Sequence, residues 1–276
     1  MGGVDLRALL WGLAVVLLSG RLLMASEGAV AGGADFIAID GGVLITGDPE
    51  GEPGEIERRV EIEPFGLMRQ EVTNRAFAAF VAATGHVTEA ERRGRGYVWT
   101  GRWRLLDGAD WRHPFGPDSD ILGKADHPVI QVSARDAAVF CAHYGWRLPS
   151  EEEWAFAARG EGRRRYPWGD QAPEQSAHEP PLANFGTVPC CAPDDTDGHR
   201  TTAPVGSYPE GVGPFGHLDL AGNVWEWTTS PFPGRPEHRV IRGGGWGNNP
   251  HCLRIAYRHG NPEHFSLDMV GFRCGR

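Results

Sequence analysis

The sequence has 276 residues, 41% of them hydrophobic, with 39 Gly, 21 Pro, 10 Trp, 12 Phe and 5 Tyr. Gly and Pro exceed a fifth of the chain, which argues against a helical bundle or a doubly wound sheet, while the dispersed aromatics exclude low complexity and can fill one large core. Asp and Glu outnumber Lys and Arg by 36 to 27, and the short basic run Arg92-Arg93-Gly94-Arg95 is too isolated for a nucleic-acid face.

Residues 1–31 read as an export signal. Arg7 precedes an apolar run from Ala8 to Ser19, and Arg21 cuts it short of the roughly 20 residues that a spanning helix needs. Small residues at Ala25 and at Ala29-Val30-Ala31 offer cleavage points. The alternative is an uncleaved anchor extended through Leu22-Leu23-Met24, with Asp5 weakening the charged head of the signal. Without such an anchor no stable membrane span is expected. The expected location is therefore periplasmic or secreted, or a secretory-pathway lumen, where disulfides persist.

Past the signal, Phe36-Ile37-Ala38-Ile39, a Gly41-Gly42 turn, Val43-Leu44-Ile45 and the alternating Val60-Glu61-Ile62 predict short strands. Residues 50–57, acidic and rich in Gly and Pro, predict a surface loop. Three helices have clear punctuation. Thr73 caps the first, which carries Phe77, Phe80 and Val81 on one face and ends at Gly85. Ser133 with Asp136 opens the second, burying Ala137, Phe140, Cys141 and Tyr144 before Gly145. Ser150 with Glu153 opens the third over 151–159, with Trp154, Ala157 and Ala158 inward and Gly160 after it. Beyond Gly160 only short segments, at 166–169, 205–208 and 240–242, alternate with Gly/Pro turns. No internal repeat or linker interrupts the chain, so one loop-rich α+β domain is expected over residues 35–276.

Arg147-Leu148-Pro149-Ser150-Glu151-Glu152-Glu153-Trp154 resembles the R-L-P-T-E-x-E-W signature of formylglycine-generating enzymes, also called sulfatase-modifying factors. Further family pieces follow in the same order along the chain. They are Glu71-Val72-Thr73-Asn74, His127-Pro128-Val129, Tyr166-Pro167-Trp168-Gly169, Gly222-Asn223-Val224-Trp225-Glu226-Trp227, Arg242-Gly243-Gly244-Gly245-Trp246 and Gly271-Phe272-Arg273-Cys274. The resemblance implies a single irregular α+β domain related to C-type lectin-like folds, with low regular secondary structure. It also implies an O2-dependent oxidation of a sulfatase cysteine within C-x-P-x-R by copper(I) held on two thiols, soft ligands that suit that ion.

The resemblance further implies two structural calcium sites. One would take the Asn184 and Asp197 side chains with the Phe185 and His199 carbonyls, and neighbouring Asp194 and Asp195 compete for the carboxylate role. The other would take the Asp219 and Glu226 carboxylates with the Gly222 and Val224 carbonyls, a mixed oxygen set that suits Ca2+. The alternative for these carboxylates is plain hydrogen bonding to nearby amides. The family disulfide between the helix after H-P-V and the terminal G-F-R-C maps onto Cys141 and Cys274. A second family disulfide has no counterpart, because Ala158 stands at one of its positions.

The resemblance breaks at the catalytic loop. Trp246-Gly247-Asn248-Asn249-Pro250-His251-Cys252-Leu253 is about three residues shorter than the family segment. Asn248 and Pro250 fall where the two copper thiols would be, so copper is not expected. Cys252, His251 and Asn248 are the weak catalytic candidates that remain. Cys190 and Cys191 are adjacent, which leaves open a bridge from one of them to Cys252 or to another chain, or a three-thiolate metal site. His259 and His264 add no ligand-like spacing. Arg254, Arg258 and Arg273 read as core ion-pair residues before anion contacts, and Trp225, Trp227 and Trp246 as core and pocket wall. Two functions follow: a different oxidative maturation in the same cleft on a protein, peptide or small-molecule substrate, or a non-catalytic lectin-like module binding a peptide, glycan or partner protein.

Overall fold

Short apolar runs punctuated by glycine fold here as short strands. In the computed structural model, which describes residues 1, 34–173, 181–187, 191–193 and 195–276, β1 (Phe36–Ile39) lies antiparallel to β4 (Phe65–Met68). Strand β2 (Gly42–Ile45) pairs likewise with β3 (Arg59–Ile62). Gly41 takes a left-handed φ of 84° between β1 and β2, and a Cβ there would lie 2.3 Å from the Ile62 carbonyl oxygen, so the tight turn requires glycine. The expected export segment falls almost wholly outside the described residues, as do Cys190 and Asp194. No described helix is long and apolar enough to cross a membrane.

The three punctuated helices form with their expected caps. Thr73 accepts the Ala76 amide at the start of α1 (Asn74–Thr84), and Gly85 closes it at φ 69°. A fourth helix, α2 (Glu89–Arg93), has a capping box between Thr88 and Glu91. The sequence reading missed it because Arg92 and Arg93, its last two residues, were read as part of a basic run. A hairpin of β5 (Arg95–Trp99) and β6 (Trp103–Asp107) follows. Helices α3 (Ala134–His143) and α4 (Glu151–Arg159) carry the Ser133–Asp136 and Ser150–Glu153 boxes, each cap worth about 1 kcal/mol.

The longest strands lie beyond Gly160, where only short segments were expected. Strands β7 (Trp225–Phe232) and β8 (Arg235–Arg242) form the centre of a four-stranded sheet, flanked by β9 (His259–Pro262) and β10 (Val270–Gly271). Residues 225–228 are buried on both faces, so β7 shows no alternation to read. Residues 240–242 belong to β8, whereas 166–169 and 205–208 are turns.

The two larger of three apolar clusters among the described residues fill most of the interior. One gathers Phe77, Phe80, Phe140, Trp227, Trp246 and Phe272; the other packs Trp154 and Phe156 of α4 against Leu44, Leu67 and Leu220. Residues 272–276 thread between β4 and Arg147. The Met68 amide donates to the Cys274 carbonyl at 3.0 Å, Gly66 and Arg276 exchange backbone bonds at 2.9 Å, and Arg147 and Gly275 do so at 3.0 and 2.7 Å. The disulfide Cys141–Cys274, buried and spanning 133 residues, locks this segment to α3.

Candidate functional site

The loop that follows β8 is built on glycine. Gly243 and Gly244 take φ values of 99° and 73°, and a Cβ on Gly244 would meet Leu253 Cδ1 at 2.7 Å. The chain therefore folds back on itself, and residues 250–253 form one 3-10 turn. Asn248 is buried. Its Oδ1 accepts from Trp225 Nε1 at 2.8 Å and from the Gly245 amide at 3.1 Å, and its carbonyl accepts the Gly186 amide at 2.8 Å. Asn248 thus acts as a bracket for the loop, leaving no side-chain oxygen exposed to a substrate.

The structure brings Cys252, His251 and Tyr257 together. Cys252 is buried, carries a thiol, and hydrogen-bonds the Tyr257 hydroxyl. Burial pushes the thiol up from its usual range, with the Tyr257 hydroxyl and the Arg254 charge opposing. Burial and the Cys252 thiol push the Tyr257 phenol up to about 12. Both groups are protonated at neutral pH. The His251 ring lies edge-on to Tyr257 at 5.3 Å, with Nε2 3.0 Å from Glu52 Oε1 on the half-exposed rim.

Cys141 and Cys274 are bonded to one another, and Cys191 is also in a disulfide. Among the described residues only Cys252 keeps a thiol, so the expected alternatives of a Cys252 bridge and of a three-thiolate site are not formed. Among the described residues no two thiols stand together as donors for Cu(I), and no three His, Cys, Asp or Glu side chains group as metal ligands.

The loop is fastened by arginine. Arg254 is buried and donates to Asp48 Oδ2 at 3.1 Å and to Glu55 Oε2 and Oε1 at 2.7 and 3.0 Å. Arg258 and Arg242 each lie 3.2 Å from a carboxylate oxygen of Glu151. Arg254 and Arg258 are ion-pair residues, as expected, and Arg242 joins them. The acidic segment 50–57 is correspondingly less superficial than its composition implied, because Glu55 is buried beneath Arg254.

The two stretches expected to hold calcium meet at one place. Asn184 Nδ2 donates to Asn223 Oδ1 at 3.1 Å, and the Asn223 amide donates to the Asn184 carbonyl at 2.8 Å. Gly222, at φ 85°, has no room for a Cβ, which would sit 2.3 Å from that carbonyl oxygen. Asp197 accepts the Phe185 amide at 2.6 Å and the His199 amide at 3.0 Å. The Asn184 Oδ1 is buried with no hydrogen-bond partner, an orphaned oxygen beside that carboxylate, which fits a cation ligand.

The second stretch fits less well. Glu226 gives Oε1 and Oε2 to Arg273 at 2.7 Å each, and Oε2 also accepts Trp154 Nε1 at 2.9 Å. Its carboxylate is therefore committed to a buried ion pair instead of the calcium role expected for it. Asp219 accepts the Gly206 amide at 2.6 Å. The nearby oxygen left over is Glu71 Oε2, buried without a partner. Burial and the Asp219 charge hold the Glu71 carboxyl well above its usual range.

A family model described as the sulfatase-modifying factor enzyme 1-like domain matches residues 24–276. The chain belongs to this family. Within it, the chain is 36% identical over 301 residues to the inactive C-alpha-formylglycine-generating enzyme 2 of Bos taurus, covering 99% of this chain and 96% of that protein. It is 37% identical over 280 residues to the formylglycine-generating enzyme of Streptomyces coelicolor, covering 86% and 88%. In fold it is similar to PvdO from Pseudomonas aeruginosa, with a TM-score of 0.68 at 24% identity, covering 87% and 93%. The family motifs found in the sequence thus lie on one fold. The residues that sequence reasoning left without a role are Asp48, Glu52 and Glu55, whose acidic run was the available signal, and Asp268, which had none.

Proposed function

We propose that this protein is an exported, calcium-stabilised family member that binds a peptide, glycan or partner protein and does not generate formylglycine. The observation that carries the reading is Asn248, held by Trp225 and Gly245 where a copper thiol would stand. The neighbouring Cys252 is buried and protonated, so the loop offers neither a thiolate pair nor an exposed nucleophile. The similarity of nearly the whole chain to a relative named inactive supports the same reading. Calcium would be held by Asn184 and Asp197 with the Phe185 and His199 carbonyls. A second ion would draw on Asp219 with the Gly222 and Val224 carbonyls. Bound calcium supplies positive charge that fixes loops lacking regular hydrogen bonds.

A different oxidation centred on Cys252 is the second reading, favoured by its hydrogen bond to Tyr257 beside His251. Incubation of the mature protein with a C-x-P-x-R peptide, Cu(I) and O2 tests both readings. The peptide thiol is expected to persist by mass spectrometry while the Streptomyces coelicolor enzyme converts it; formation of the aldehyde overturns the proposal. One-to-one Cu(I) binding that is lost in Cys252→Ala would move the conclusion to the second reading.

A further inference from the structure

Arg159 ends α4 with its guanidinium inside the protein, 3% exposed. Nη1 donates to the Ile45 and Gly47 carbonyls at 2.6 and 2.8 Å. Nε is buried with no hydrogen-bond partner, and no carboxylate lies within salt-bridge distance of the group among the described residues. Every other buried arginine has an acidic partner: Arg242 has Glu151, Arg254 has Asp48 and Glu55, and Arg273 has Glu226. A buried cation with backbone carbonyls as its sole partners is costly unless something completes it.

Arg159 is among the residues lining an open pocket of about 370 Å3. Residues 45–49 line it too, as do the more exposed Arg163 and Arg165 at its rim. Both rim arginines are already engaged. Arg163 pairs with Glu57, and Arg165 lies 3.1 Å from Asp48 and 3.5 Å from Glu50. Asp48 is shared further with Arg254. Among the arginines that line the pocket, Arg159 alone forms no ion pair. Its environment is also inhospitable to a cation: burial first, then the Arg242 charge, lowers its pKa to about 10.

We infer that this pocket binds a carboxylate group on a molecule of about amino-acid size. Arg159 would receive it through the amino group that the two carbonyls leave, with Arg163 and Arg165 closing over it. A hydrogen bond from a guanidinium to a carboxylate is charge-assisted and about twice as strong as a neutral one. A singly charged head suits the site better than a dianion, because Asp48, Glu50, Glu57 and Asp170 also line the pocket and repel additional negative charge. The inference does not depend on whether the loop around Cys252 is catalytic, since it rests on residues of α4 and the segment after β2.

Titration calorimetry and ligand-observed NMR of the full protein with N-acetylglycine, its neutral amide, sulfate and phosphate test the assignment. Saturable binding of N-acetylglycine is expected, with none of the amide and weaker binding of the two inorganic anions. Arg159→Met should weaken N-acetylglycine by about tenfold, the loss of a charge-assisted hydrogen bond, and Arg163→Gln by about threefold. Arg163 is exposed, so its variant remains informative if Arg159→Met fails to fold. Absence of saturable binding to the unaltered protein overturns the inference. So does equal affinity for the amide, tighter binding of sulfate or phosphate, or binding that a folded Arg159→Met or Arg163→Gln leaves unchanged.

Discussion

Trp225 Nε1 donates to Asn248 Oδ1 at 2.8 Å, joining the first residue of β7 to the loop that follows β8. The same oxygen accepts the Gly245 amide, so Asn248→Cys would leave two buried donors without a good acceptor. At about 1–3 kcal/mol for each such donor, the variant should lower stability by roughly 2–6 kcal/mol. It should also gain no activity on a C-x-P-x-R peptide, because one restored thiol is not a pair. Urea unfolding and peptide mass spectrometry on the one variant check both halves.

Glu226 and Arg273 form an ion pair that solvent does not reach. Glu226→Gln should cost about 3–5 kcal/mol by leaving the guanidinium charge buried without its counter-ion. The exposed pair Arg75–Asp126 is the contrast, and Asp126→Ala should change stability by about 0.5 kcal/mol or less. Denaturant midpoints of the two variants should differ widely; similar values would contradict the burial argument.

Asp268 is fully buried. Its Oδ2 accepts the Trp99 amide at 2.8 Å, its Oδ1 has no partner, and burial raises its pKa from 3.8 to about 7. Below pH 3.8 both the folded and the unfolded forms hold the proton, and no penalty exists. Between pH 3.8 and 7 the unfolded chain ionises while the folded one does not, so stability falls as pH rises. Above pH 7 the full cost, on the order of 4 kcal/mol, is present. Asp268→Asn should therefore be destabilising at pH 4, where it adds an unpaired buried donor, and neutral to stabilising at pH 8. An identical effect of the substitution at both pH values, measured by urea unfolding, would falsify this assignment.

The Cys141–Cys274 bridge spans 133 residues. In the chain-entropy view, a closed loop of that length removes about 4–5 kcal/mol of freedom from the unfolded chain. Cys274→Ser should lose stability of that order, and reductant should lower the melting temperature of the unaltered protein by more than that of the variant, which keeps only the Cys191 disulfide. Calorimetric scans with and without reductant make the comparison.

Calcium should raise the melting temperature in a concentration-dependent way, by about 2.7 kcal/mol of stability at a hundredfold excess over Kd. Asn184→Ala should remove most of the effect at the first site, because Asn184 Oδ1 is the orphaned oxygen there. Scans in EDTA and in graded Ca2+ give the result. A midpoint indifferent to calcium removes the metal from the proposed function.

Much of the fold was legible because its punctuation is local. Thr73, Ser133 and Ser150 announce helices through caps that depend on three or four residues, and all three helices form. Strand β7 was not legible: Trp225, Glu226, Trp227 and Thr228 are all buried, and Glu226 is inside only because Arg273, 47 residues later, meets it. The Cys141–Cys274 bridge came from the family resemblance, and no local pattern gave it. At the candidate site, the sequence identified Asn248, His251 and Cys252 but could not reveal that Asn248 faces an indole while Cys252 faces a phenol. Those directions are set by Gly243 and Gly244, which fold the loop back, and by Arg254, which pins it to the 48–55 segment.

Residues 272–276 lie between β4 and Arg147, with Phe272, Arg273 and Cys274 wholly inside. Phe272 belongs to one apolar cluster and Arg273 neutralises Glu226, so neither can close before this segment arrives. The order of synthesis therefore cannot be the order of folding. Final packing of both elements must therefore wait until residues 272–276 are available. Such a high separation between partners in sequence makes for slow folding and prolonged exposure of apolar surface. In a cell this protein should be a heavy client of chaperones, and a bulky fusion placed close behind residue 276 should hinder maturation more than one placed ahead of residue 34.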